Sequence, residues 1–170
     1  MIKVGVLPTP GIAYLVRKLN ADAGVVISAS HNPFEYNGIK FFNGDGFKLD
    51  DAIEDEIDAI VTGKRKIPQN EISGASLGRI ITPSESVSEM YGEFVKSTAG
   101  VRLDGMKIVL DCANGASSAL AEGIFRDLGA DVSVICCEPD GININDDCGS
   151  THPKRLCEAV LKEKAAVGLA

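Results

Sequence analysis

The 170-residue chain has no tryptophan, only two histidines, and aromatic residues at 5% of its length. Positive charge is in deficit: 17 Lys and Arg face 24 Asp and Glu, for a net charge of −7. No nucleic-acid partner is expected from that balance, and it weakens any expectation that this chain alone grips a phosphorylated ligand. No apolar run approaches the roughly 20 residues of a membrane-spanning helix, so no membrane partner is expected either. Met1-Ile2-Lys3-Val4 leads straight into an apolar segment rather than through a secretory leader. A start so close to a core strand is expected of a chain cut from a longer one.

The five cysteines, Cys112, Cys136, Cys137, Cys148 and Cys157, include no Cys-x-x-Cys pair. An odd count with two adjacent members is not a disulfide framework, and free thiols in a reducing cytoplasm are expected. Neither a Gly-x-Gly-x-x-Gly after a strand nor a P-loop is found, which argues against dinucleotide binding and P-loop phosphotransfer. Asn143-x-Asn145-x-Asp147 has calcium-loop spacing, but Cys148 stands where glycine is needed and Lys154 at the last ligand position.

What is present is an alternation of short apolar segments and helical patterns, with 45% hydrophobic and 24% charged residues overall. That is the composition of a globular α/β protein. Strands are expected at 3–7, 24–29, 39–43 and 47–49, the last two joined by a hairpin turn at Asn43-Gly44-Asp45-Gly46. The run Val25-Val26-Ile27 reads as a strand covered on both faces. Thr9 is placed to cap a helix with Pro10 at its first position, and Asp50 or Asp51 starts a second helix that runs to about Val61 before Gly63. Residues 64–83 hold Pro68, Gly74, Ser76, Gly78 and Pro83. They read as irregular, with a short strand at 77–81. From Ser84 the pattern becomes regular: helices at 84–96, 116–128 and 151–164, and strands at 107–112, 131–136 and 165–170. Asp111-Cys-Ala-Asn-Gly115 reads as a structural strand end and turn.

The chemistry concentrates in residues 24–43. An apolar strand runs into a polar turn with a hydroxyl at Ser30, an imidazole at His31 and an amide at Asn32, and Lys40 follows on the next strand. A nucleophile, polar neighbours and a cation at one strand end suit phosphoryl or acyl transfer. Taken singly, Ser30 reads as a turn cap, His31 as a surface residue and Lys40 as a solvated strand-edge lysine. Asn32 is expected to shape the turn through its side chain, and Pro33 to stiffen it.

Ser28-Ala29-Ser30-His31-Asn32-Pro33 with Tyr36-Asn37-Gly38-Ile39-Lys40 resembles the phosphoserine loop of the α-D-phosphohexomutases. Within that superfamily its wording is most similar to the bacterial phosphoglucosamine mutase branch. The block at 141–153 also resembles that branch, and Thr9-Pro10-Gly11 is similar to a family turn facing the same cleft. The latter is read first as an ordinary helix cap. Thr151 is read either as a plain cap or as an anion-attracting helix start.

The resemblance implies two three-layer α/β/α units with mixed sheets, truncated at both ends. Residues 1–83 would be the later part of the first family domain, and 84–170 most of the second, ending before the metal loop. It implies an intramolecular phosphotransferase of the isomerase class that interconverts glucosamine 6-phosphate and glucosamine 1-phosphate through a phosphoserine and a bisphosphate. Ser30 would carry the phosphoryl group, Lys40 would act in proton transfer and His31 would orient the phosphate. Ser30 would also offer one oxygen to Mg2+, whose other ligands are expected after Ala170. The partner implied is a phosphosugar, the setting the cytoplasm and amino-sugar metabolism, and the isolated chain is expected to be inactive. Two alternatives are a phosphomannomutase or phosphoglucomutase segment, and a non-catalytic binding module of the same fold. Oligomeric state is not legible.

Overall fold

The computed structural model describes residues 1–66, 74 and 77–170. Helix α1 (Thr9–Lys18), strand β1 (Ala23–Ser28), strand β2 (Gly38–Asn43) and helix α2 (Asp51–Val61) come first. Helix α3 (Val87–Ala99) is followed by β3 (Lys107–Asp111), α4 (Ala121–Asp127), β4 (Asp131–Ile135), α5 (Lys154–Glu163) and β5 (Val167–Leu169). The α/β class holds, and pairing of both kinds occurs. β1 and β2 form an antiparallel pair, whereas β4, β3 and β5 form a parallel sheet in that order.

Helix α1 lies on one face of the β1–β2 pair. Gly24 permits this approach, because a Cβ there would fall 2.4 Å from Val16 Cγ2 and 3.1 Å from Ile12 Cγ2. Leu7, Ile12, Leu15 and Val16 form the buried cluster, with Val26 and Phe42 packed against it. The opposite face is open: Val25, Ile27 and Ile39 are 53%, 69% and 62% exposed. The expectation of a strand covered on both faces is therefore corrected, since only the α1 side is covered. The second core centres on β3, where Ile108, Val109 and Leu110 are all buried and Ala130 and Val132 join the cluster. Parallel strands with crossover helices bury such continuous apolar runs.

Helix α3 joins the two regions. Its Phe94 ring stacks on Tyr14 of α1 at a centroid distance of 4.3 Å, and Gly11 lets the Tyr91 ring approach the helix closely. Ser86 caps α3 by accepting the Glu89 backbone N–H, and Gly100 ends it at φ 64.

Several expected boundaries move. Residues 3–7 form no strand; Ile2 makes a single parallel bridge to Ile81, the remnant of the strand expected at 77–81. The second arm of the first hairpin shrinks to a Phe42–Lys48 bridge, while Asn43 Oδ1 accepts the Asp45 and Phe47 N–H groups and shapes the turn. Thr9 is inside α1, after Pro8, and provides no side-chain cap. α4 starts at Ala121 rather than 116, because the residues after Gly115 form turns. α5 starts at Lys154 after Pro153, and the Thr151 hydroxyl pairs with His152 Nδ1 at 3.2 Å instead of capping it. Within the irregular stretch expected at 64–83, residues 67–73, 75 and 76 lie outside the described residues.

Candidate active site

β1 ends at Ser28, and the chain reverses at once. Ser28 Oγ accepts the Ser30 N–H at 3.0 Å, and the Asn32 N–H closes the turn on the Ala29 carbonyl at 3.0 Å. Ser30 adopts φ 58, a left-handed conformation uncommon for a residue with a side chain. The expected role of the Asn32 side chain falls to others: the turn bond is made by the Asn32 backbone, and the side-chain bond of the loop comes from Asn37, whose Nδ2 donates to the Phe34 carbonyl at 3.1 Å. Ser30, His31 and Asn32 are all exposed, so the hydroxyl and imidazole stand on one open turn.

Lys40 lies on β2, opposite Val26. Directly paired residues share a face of an antiparallel ladder, so Lys40 lies on the same face as Ser28, the residue that holds the Ser30 N–H. It is exposed and among the described residues has no carboxylate within ion-pair distance. The structure therefore puts Ser30 and His31 together and Lys40 one strand away, with no hydrogen bond between Lys40 and either.

The other wall of the site comes from the parallel sheet. Asp111, 5% exposed, accepts the Ala113 N–H at 2.9 Å and the Gly149 N–H at 2.8 Å. Asn114 ties the neighbouring loop down: Oδ1 accepts the Glu138 N–H and Nδ2 donates to the Asn143 carbonyl. From this loop Asn145 Nδ2 donates to the carbonyls of Ser30 at 3.0 Å and Asn32 at 2.8 Å. Sequence reasoning missed Asn145. Its signals were the Asn-x-Asn spacing, weighed there as a calcium loop, and its place in the 141–153 block. Asp111–Gly115 is structural as expected, but the structure it supports reaches the Ser30 turn.

Magnesium prefers hard oxygen ligands. Among the described residues no set of carboxylates gathers at the Ser30 turn, where the Ser30 oxygen fits that ion. The one gathered set among the described residues is Asp111, Cys136 and Cys148, on the parallel-sheet side rather than at the Ser30 turn and too rich in sulfur for a hard cation. Burial pushes the Cys148 thiol up to about 12, with its neighbour Cys136 adding to the shift, so these sulfurs stay protonated at neutral pH. A shallow cavity of about 410 Å³ lies between α1 and the Asp45–Phe47 turn, at the opposite end of the hairpin from Ser30, and includes none of the site residues expected from sequence.

This fold, with a serine-bearing turn at the end of β1, matches a known class. Residues 1–67 match the family model for phosphoglucomutase/phosphomannomutase, alpha/beta/alpha domain I. A crystal structure of a phosphoglucomutase/phosphomannomutase family protein from Burkholderia thailandensis superposes with a TM-score of 0.71 over 98% of this chain and 36% of that one, at 24% identity. Along its length the chain is similar to enzymes of the α-D-phosphohexomutase superfamily. Among curated proteins it is 57% identical to the phosphoglucosamine mutase of Clostridium novyi over 99% of this chain. It is 51% identical to that of Heliobacterium modesticaldum, again over 99% of this chain. It spans 37% and 40% of the length of those two relatives.

Proposed function

We propose that this chain carries the phosphoryl-bearing turn of a phosphoglucosamine mutase, an isomerase acting on glucosamine 6-phosphate and glucosamine 1-phosphate. The observation that carries the reading is Ser30: it stands exposed on a turn at the end of β1, inside a chain more than half identical to phosphoglucosamine mutases along its length. Phosphorylated Ser30 donates its phosphoryl group to the free hydroxyl of the sugar phosphate. The hydroxyl oxygen bonds to phosphorus as the bond to Ser30 Oγ breaks, and the hydroxyl proton leaves through Lys40. The resulting bisphosphate returns its other phosphoryl group to Ser30, which completes the isomerisation without net phosphate gain or loss. His31 orients the transferring group. Transfer of this kind depends mainly on positioning and charge neutralisation.

We assign residues 1–83 to the later part of the first family domain and 84–170 to most of the second. A reducing, cytoplasmic setting fits five cysteines that are all free thiols; no helix among the described residues is long and apolar enough to cross a membrane. The oxygen of Ser30 would be one ligand of a magnesium ion, and no step of the reading passes through that ion.

The test is Ser30→Ala in a protein of the relatives' full length that carries this segment. Mutase turnover should vanish, together with the single phosphate seen on Ser30 by intact mass. A Ser30→Ala protein with full turnover would overturn the reading. The 170-residue chain alone should show no turnover. The matching family model favours one second reading, in which the same chemistry acts on glucose or mannose phosphates. Competition between those sugars and glucosamine phosphates on the full-length protein separates the two.

A further inference from the structure

Asn145 connects the two sheets. It sits in the loop after β4 at φ 59, and its backbone N–H donates to the Ala113 carbonyl at 2.9 Å. Ala113 is held by Asp111 Oδ1, and Asp111 Oδ2 holds the Gly149 N–H on the far side of the same loop. One buried carboxylate thus holds both Ala113, which accepts the Asn145 N–H, and Gly149, further along the Asn145 loop. From that anchored position its amide spans 115 residues of sequence to reach Ser30. Both groups it faces are carbonyl oxygens, at 3.0 Å and 2.8 Å. Only the amide nitrogen can face them, and both of its hydrogens are used.

The two bonds bracket His31: one ties down the Ser30–His31 peptide and the other the Asn32–Pro33 peptide. They act where the turn most needs support. Ser30 holds a positive φ, a conformation that persists when surrounding contacts over-determine it. From its own strand Ser30 is held by one side-chain acceptor, Ser28 Oγ. Asn145 supplies the constraint from the other sheet.

We propose that Asn145 is a positioning residue for phosphoryl transfer, setting the direction of Ser30 Oγ by clamping the Ser30 and Asn32 carbonyls. The proposal rests on the reading of Ser30 as the phosphoryl carrier. Asn145 touches no reacting atom; it acts through the backbone of the turn. The position of the parallel sheet is thereby transmitted to the nucleophile.

The test uses Asn145→Asp and Asn145→Gly in the full-length mutase, beside Ser30→Ala. Asp and Gly both accept positive φ, and neither can donate to a carbonyl from that side chain. Each variant should lower kcat by about tenfold to a hundredfold, the range that misplacement of a reacting group produces. KM should stay within about twofold of the parent, with an unchanged thermal midpoint. Single-turnover loss of phosphate from Ser30, followed by intact mass, should slow by the same factor. Parental kcat in both variants overturns the proposal. So does a lowered kcat that arises from a smaller folded fraction, seen as reduced amplitude at an unchanged single-turnover rate. Failure of the underlying reading looks different: Ser30→Ala would retain turnover. If Ser30→Ala is inactive and both Asn145 variants are normal, only the role of Asn145 falls.

Discussion

The antiparallel β1–β2 pair and the parallel sheet around β3 divide the work of this molecule unequally. The first carries the candidate site residues Ser30, His31 and Lys40 on open surface and leaves Val25, Ile27 and Ile39 exposed on its uncovered face. The second buries Ile108 and Val109 to 1% and 0% exposure and seats a carboxylate, Asp111, beneath its loops. A lone antiparallel pair is marginal by itself. Its Ser30 turn is kept in place by packing of α1 against α3 and by an amide donated from the other sheet. The candidate site residues and the rigid core thus sit in separate elements, and hydrogen bonds join them.

The tightness of the second region should be plainest in its thiols. Cys112 and Cys148 are each raised from 9.0 to about 12, chiefly by burial. At pH 8 their thiolate fractions fall about a thousandfold below that of an ordinary thiol. Exposed Cys157 should therefore react first with a thiol reagent, while Cys112 and Cys148 react only on unfolding. Rapid native-state labelling of either would show that the second core is loosely built. The sign for stability follows: a folded-state pKa above the unfolded one favours folding below pH 9. That contribution is lost as pH climbs toward 12, so denaturant midpoints should fall across that window.

Side-chain truncation is the next largest effect. Ile108→Ala should cost about 2–5 kcal/mol through lost burial and a residual cavity. Ile39→Ala, on the open face, should stay within about 0.5 kcal/mol. Equal losses in urea unfolding would erase the distinction between the regions. Gly24→Ala probes the covered face of the same hairpin. Its new Cβ would meet Val16 Cγ2 at 2.4 Å and should cost about 1–3 kcal/mol by overpacking; a neutral result would show that α1 does not sit tightly on β1. The smallest change is Ser86→Ala, which removes the cap from the helix joining the two regions and should cost about 1 kcal/mol, read as a shift in thermal midpoint.

Much of this was legible from residue order. The Val25–Ile27 run and the Asn43–Gly46 turn located β1 and β2. Alternating apolar and helical patterns from residue 107 onward located the parallel sheet, because local periodicity and turn chemistry act over a few residues. Errors fell where distant partners decide. Residues 3–7 have strand composition but form no strand, and the nearby bridge joins Ile2 to Ile81. Thr9 and Thr151 have the composition of caps, yet Pro8 and Pro153 occupy the cap positions.

The serine-bearing motif, the α/β class and the free thiols are properties of the sequence by itself, since residue identity and short-range spacing suffice for them. The link from Asp111 through Asn145 to the Ser30 turn was decided by tertiary structure alone. Its hydrogen bonds join groups up to 115 residues apart, and no local pattern records which distant carbonyl an amide will meet.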